Sequence, residues 1–339
     1  MKFKIFLTSL IFCIFCFAAN AQEPKNIFFN YGVSSGDPLT DRVILWTRVN
    51  TTETSASVYY EVASDQAFDK VVNSGNVKTS QDKDFTVKVD VERLKPGTYY
   101  FYRFKYKDSY SITGRTKTLP ENTSKFRIAV VSCQNFGAGY YTAYKYIIKD
   151  NPDLIVMLGD FIYEYERGKA ESVRPDNSGY AKDLKTYREK YRYYLSDHLL
   201  QEAMSQFPMV SIWDDHEVQN NYSGVTLKKT NPQKIKDAYQ TFFEYIPIRE
   251  LDEKFRIYRN FKVGNLVEFF LIDGRQYRDE DVCDRGLNFE CTSKANIPGR
   301  TYLGQEQKKW LIDGITSSKA KWKFLGNNTG LMELAVLGN

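Results

Sequence analysis

Residues 126–164 read FRIAVVSCQNFGAGYYTAYKYIIKDNPDLIVMLGDFIYE. Phe126 to Val131 is a compact apolar run and reads as a buried strand. Gly139 to Lys149 sets Tyr144, Ile147 and Ile148 at helical spacing, and Asn151-Pro152 ends that helix, since proline lacks the amide hydrogen that another turn needs. Asp153 to Leu158 is a second buried strand. Strand, helix, strand is a βαβ unit, so this half of the chain is α/β.

The pattern continues downstream. Helices are expected near Leu184 to Tyr194, Ile235 to Tyr245 and Gln305 to Thr316, and strands at Pro208 to Trp213, Leu266 to Ile272 and Trp322 to Leu325. Upstream it changes. Leu119 to Ser124 is a polar, proline-containing linker, and residues 27–118 read as short strands punctuated by turns. Val43 to Val49, Ser57 to Val62, Phe85 to Val91 and Tyr99 to Tyr106 are the strand candidates. Ser35-Gly36-Asp37-Pro38 and Asn73-Ser74-Gly75-Asn76 are the turn candidates. Leu94 to Tyr100 has the pattern of a tyrosine corner in a fibronectin-type sandwich. The expected fold is therefore a β-sandwich over residues 22–119, followed by an α/β domain over 125–339.

The chain has 339 residues, 42% hydrophobic and 26% charged, which is ample apolar material for sizeable cores and excludes disorder as the main state. Its net charge of +5 comes without a dense Lys/Arg run, so a nucleic-acid reader has no support. There are two histidines, His198 and His216, which excludes a histidine-rich metal site built from this chain alone.

Residues 1–21 have the three parts of a cleaved secretory signal: Lys2 and Lys4, an apolar run from Ile5 to Phe17, and Ala19-Asn20-Ala21 before Gln22. The run is too short for a membrane anchor, and no Arg-Arg pair precedes it. Secretion or periplasmic residence is expected, with no stable membrane anchor. The mature chain then keeps Cys133, Cys283 and Cys291. Cys283 and Cys291 lie close together in a polar segment and are expected to pair, leaving Cys133 as the odd thiol.

In open α/β folds, sites form beyond the carboxyl ends of the strands. Three expected strand ends carry polar clusters here: Ser132-Cys133-Gln134-Asn135, Gly159-Asp160-Phe161-Ile162-Tyr163-Glu164, and Asp214-Asp215-His216-Glu217 running on to Asn220-Asn221. Asp160 and Tyr163, three residues apart, can point a carboxylate and a phenol at one ion, and a phenolate suits Fe(III). Asp160 could equally cap a helix, and Tyr163 could be a packed aromatic. Cys133 reads as a thiolate ligand or as a small buried hydrophobe. Asp215 can supply an oxygen ligand, His216 an acid, base or electrophile, and Asn220 an amide oxygen for a hard cation. The same cluster could be a solvated helix start. His198 reads as a helix-surface residue.

The chain resembles the alkaline phosphatase D, or PhoD-like, branch of the metallophosphatases. The resemblance is carried by GVSSGDPLTDRVILWTRV, KPGTYYFYRF, VSCQNF, LIVMLGDFIYE, IWDDHEVQNN, FFLIDGRQYRD and LGQEQKKWL, in that order from residue 32 to about residue 330. It implies an amino-terminal β-sandwich and a catalytic domain of two β-sheets flanked by helices. It implies a secreted hydrolase of phosphate mono- or diesters, working through water activated by two metal ions, with iron and calcium as cofactors. Apart from the resemblance, the chain is expected to be a monomer. Carried onto this sequence, it implies Cys133, Asp160 and Tyr163 around iron, with Asp160 bridging to calcium. Asn220 would bind calcium, with Asp215 as the competing candidate. His216 would sit close to the substrate phosphate, and Asp215 would share the catalytic role. Arg275 is a substrate-binding candidate or a support for the site's surroundings. The family's catalytic domain runs on past Asn339 to a Gly-Asp-x-His segment, so the α/β domain is expected to be incomplete. The rival expectation is a catalytically incomplete chain that binds phosphorylated ligands or carbohydrate without turnover.

Overall fold

The computed structural model describes residues 27–280 and 297–330. The expected signal segment, the Cys283–Cys291 pair and the last nine residues lie outside the described residues.

The amino-terminal half contains β1 (Val33–Gly36), β2 (Val43–Arg48), β3 (Ser55–Ala63), β4 (Val71–Ser80), β5 (Thr86–Val91), β6 (Tyr99–Tyr106), β7 (Ser109–Tyr110) and β8 (Gly114–Lys117). One layer has the order β4-β3-β6-β7, with β8 also on β6; the facing layer is β5-β2-β1. The alternation of β6 sends Tyr100, Tyr102, Phe104 and Tyr106 inward, against Val43, Leu45, Val87 and Val89 of the other layer. The tyrosine corner is present: Lys95 N donates to Tyr100 Oη at 2.8 Å.

One expected turn is strand instead, and another begins two residues later than expected. Asn73 to Asn76 lies inside β4, paired with Tyr59 to Val62 of β3. The turn-like composition is overridden by the neighbouring strand: Gly75 lies under the Tyr60 ring, and Tyr60 Oη donates to Asn73 Oδ1 at 3.1 Å. Ser35 and Gly36 close β1 rather than opening a turn.

The carboxy-terminal half contains β9 (Ile128–Val131), α1 (Thr142–Asp150), β10 (Leu154–Leu158), α2 (Leu184–Tyr194), α3 (His198–Gln206) and β11 (Met209–Ile212). These are followed by α4 (Gly224–Thr230), α5 (Pro232–Tyr245), β12 (Arg259–Val263), β13 (Val267–Leu271), α6 (Gln305–Ser317) and β14 (Trp322–Gly326). Strands β9, β10 and β11 are parallel, as the βαβ reading requires. Strands β12, β13 and β14 form a second sheet. The sheets meet through aromatic rings: Phe126 lies 6.4 Å from Phe269, which lies 5.1 Å from Phe324. Two sheets flanked by helices is the expected architecture. Helices α3 and α4 and strand β12 add to the elements expected from periodicity.

The linker divides the chain but not the sheet. Strand β1 pairs in parallel with β11 at Gly36 and Met209, giving one sheet of order β5-β2-β1-β11-β10-β9. Only glycine fits this joint, because a Cβ at Gly36 would lie 2.2 Å from the Pro247 carbonyl oxygen. Strand β2 is buried on both faces. Val43 and Leu45 enter the sandwich core, while Trp46 enters the α/β core and donates through Nε1 to Glu244 O at 2.7 Å. Among the described residues, no helix is long and apolar enough to cross a membrane.

Candidate metal centre

Parallel alignment of β9, β10 and β11 brings their carboxyl ends to one edge, and the three polar clusters meet there. Cys133 N donates to Gly159 O at 3.2 Å, and Gln134 N to Asp160 O at 3.1 Å, lacing the first loop to the second. The second loop touches the third where Gly159, at φ +96°, leaves room for Asp214; a Cβ there would lie 2.5 Å from the Asp214 amide nitrogen. Cys133 (φ 55°) and Asp160 (φ 56°) both occupy the left-handed region, sparsely used by residues other than glycine and typical of strained functional loops.

These turns bring side chains together. Tyr163 Oη donates to Asp160 Oδ2 at 3.0 Å, and both residues contribute to the electrostatics of the neighbouring Cys133 thiol. Ligand atoms of Asp160, Asp215 and His216 lie within 4.8 Å of one another. The His216 ring stacks on Tyr163 at 4.1 Å and meets the Tyr165 ring edge-on at 5.5 Å. Asn220 is exposed, and its backbone amide donates to Glu164 Oε1 at 2.9 Å. Arg275 lies on the other side of the aspartates, buried, with Nε 2.6 Å from Asp214 Oδ1 and Nη2 3.3 Å from Asp215 Oδ1. His198 is exposed on the first turn of α3.

The charges are crowded. Burial, then the neighbouring charge of Asp215, pushes the Asp160 carboxyl above its ordinary range. Burial raises Asp214 to about 7, against the opposing pull of Arg275. Burial also works to raise Asp215, but the charge of Arg275, the Asn221 amide and His216 hold it low. For His216, burial disfavours the charged ring, yet Glu164 and Asp215 outweigh it and raise its pKa. Burial pushes the Cys133 thiol up, and Asp160 adds to the effect.

This donor set fits a cation. Two carboxylates and an imidazole converge, with the Tyr163 phenol on Asp160, where burial and mutual repulsion disfavour bare negative charge, and an added positive charge relieves both. Cys133 is exposed at the rim, not the small buried hydrophobe it could have been, and stands outside this 4.8 Å group.

Several residues that hold the edge in place were not singled out from sequence. Glu217 is buried; its Oε1 accepts from Phe161 N at 2.7 Å and its Oε2 from Asp214 N at 2.8 Å, clamping the second loop to the third. Tyr194 Oη accepts from Phe136 N and Tyr163 N, clamping the first loop to the second. Asp273 Oδ1 accepts from Trp213 Nε1 at 3.1 Å and from the amides of Arg275 and Gln276, tying the end of β13 to the third loop. Trp213 itself stacks on Tyr239 of α5 at 4.1 Å. Glu164 and Glu217 stand inside the quoted motifs, so density of charge could have flagged them. Tyr194 is one buried tyrosine in a tyrosine-rich helix and gives no sequence signal.

A family model described as PhoD-like phosphatase matches residues 128–338, and one described as PhoD-like phosphatase, N-terminal domain matches residues 16–120. The chain is similar to alkaline phosphatase D of Bacillus subtilis (strain 168), 38% identical over 321 residues, covering 88% of this chain and 55% of that protein. It is also similar to a solved structure described as that of PhoD, with a TM-score of 0.82 and 37% identity, covering 90% of this chain and 63% of the other. The chain thus spans little more than half the length of the curated relative it matches.

Proposed function

The chain belongs to the PhoD-like phosphatase family, and we propose that it is a metal-dependent phosphoesterase acting on phosphate esters outside the cytoplasm. The observation that carries this reading is the meeting of Asp160, Asp215 and His216 within 4.8 Å, beside Cys133 and Tyr163, at one strand-end edge. Asp160, Tyr163 and Cys133 would hold iron, for which a phenolate and a carboxylate are suitable hard donors. Asp160, Asp215 and the Asn220 amide oxygen would hold calcium, which takes oxygen ligands. When bound, such ions supply positive charge for the phosphate oxygens and acidify a water.

The residues of the chain do the remaining work. Asp160 and Asp215 set where charge is neutralised, and without metal the Tyr163 hydroxyl holds Asp160 in place through a proton that it would give up on becoming a phenolate ligand. His216 lies beside both carboxylates and would hold a proton for the leaving oxygen. Arg275 braces Asp214 and Asp215, and its Nη1 is buried without a hydrogen-bond partner among the described residues.

The test combines metal content and turnover on the purified chain. Elemental mass spectrometry after exhaustive dialysis should find about one iron per chain together with calcium. An aryl phosphate monoester and its diester should then be offered as substrates. Tyr163→Phe should remove any visible charge-transfer band while leaving the fold intact; an unchanged spectrum would sink the iron assignment. Ester binding without turnover, on a chain that holds no metal, would overturn the enzymatic reading and favour a phosphate-binding remnant.

A further inference from the structure

Glu164 ends the GDFIYE segment, and it reaches across to the segment that carries His216. Its Oε2 lies 2.7 Å from His216 Nδ1, and its Oε1 accepts from the Asn220 amide at 2.9 Å. Both partners of the ion pair are enclosed, with 12% of the histidine side chain and 4% of the glutamate side chain exposed. A carboxylate only accepts hydrogen bonds, so the proton between Glu164 and His216 belongs to Nδ1. The other ring nitrogen, Nε2, then carries no proton when the ring is neutral. Tyr163 stacks against the ring face and Tyr165 meets its edge.

We propose that Glu164 is a positioning residue: it locks His216 in the Nδ1–H tautomer, so that Nε2 is the ring nitrogen left without a proton. The Asn220 amide holds Glu164 by its second oxygen, which fixes the carboxylate against the ring. A histidine fixed by a carboxylate behind it is also a stronger base at its free nitrogen. The consequence for catalysis rests on the phosphoesterase reading above, but the tautomer does not.

The chain's two histidines make the test direct. In the full chain labelled with 15N-histidine and stripped of metal by chelator, long-range 1H–15N correlations at alkaline pH distinguish the tautomers, and His198→Gln assigns the signals. The unaltered chain should show Nδ1 protonated at His216. Glu164→Ala should shift the ring to the Nε2–H form or to an exchanging mixture, and Glu164→Gln, which keeps an accepting oxygen, should restore the Nδ1–H form. Nε2–H in the unaltered chain would overturn the proposal, even if Glu164→Ala fails to fold. So would a His216 signal that stays Nδ1–H in a folded Glu164→Ala chain. Neither result depends on turnover, so failure here is distinct from failure of the phosphoesterase reading.

Discussion

Two regions of the molecule bury carboxylates, and they treat them in opposite ways. Where the sandwich meets α2 and α5, Asp84 sits at a left-handed turn and accepts from Arg48, Arg192 and the Tyr245 hydroxyl. Nearby, Asp37 takes both Arg259 nitrogens and the Arg249 amide. At the strand-end edge, Asp160, Asp214, Asp215, Glu164 and Glu217 crowd around one guanidinium, Arg275, and one imidazole, His216. Burial raises carboxyl pKa values in both places. At Asp84 the arginines and Tyr245 outweigh it and hold the group below its ordinary range; at the edge Asp215, beside Arg275, is held low as well, whereas Asp160, Asp214 and Glu217 are pushed above theirs. The difference is the supply of fixed positive charge. The junction is electrostatically closed and serves stability; the edge is left short of cations, as a site that recruits them from outside must be.

The sharpest way to break this contrast is Asp160→Asn. Phosphate-ester hydrolysis should fall by about 1000-fold or more, roughly 4 kcal/mol of transition-state stabilisation. Thermal unfolding in chelator should not move downward, because one of two repelling carboxylates has been removed. Retained activity would refute the assignment of the edge.

Glu217→Ala should come next in size, and in stability rather than chemistry. It strands the buried amides of Phe161 and Asp214 and should cost about 3 kcal/mol in urea unfolding. A near-zero cost would mean that the two loops do not depend on this clamp.

At the junction, Asp84→Asn leaves Arg48 and Arg192 without their carboxylate and should cost about 2 kcal/mol at neutral pH. Because Asp84 is held low in the fold, this difference should be fully present above about pH 4, the range where an unfolded aspartate titrates. It should close as pH falls through the lower folded value, where the parent protonates and comes to resemble the variant. A gap that persists in acid would show that packing, not charge, is what Asp84 contributes.

The smallest effect separates the two histidines. His198→Gln, on the exposed first turn of α3, should change stability by no more than about 0.5 kcal/mol and leave hydrolysis untouched. A large loss of activity would move the functional histidine away from His216.

Much of this organisation was legible before any coordinates. Asp153 to Leu158 is recognisable as a strand because full burial demands an unbroken apolar run, and Asn151-Pro152 leaves the helix before it no way to continue. Phe126 to Val131 also yields a strand, β9, but not the buried one expected: it is the outer strand of its sheet and only partly buried, with Val130 48% exposed. Polar clusters directly after such strands must gather at one edge once the strands are parallel, so Cys133, Asp160, Tyr163, Asp215 and His216 could be named together. The turn reading of Asn73 to Asn76 failed because it used local propensity, while the strand there is set by its partner β3. Glu164, Glu217 and Tyr194 escaped notice because their roles are backbone amides and a ring nitrogen received from distant loops.

The sequence alone therefore determined the class of fold and the chemical types present at each strand end, since both follow from periodicity and spacing along one segment. Tertiary structure decided what crosses between segments. It joined the sandwich and the α/β half into one sheet at Gly36 and Met209, gave arginines to Asp84 and withheld them from Asp160, and set Glu164 behind His216. These are contacts between residues far apart in the chain, and their energies depend on distance and burial, which no local pattern encodes.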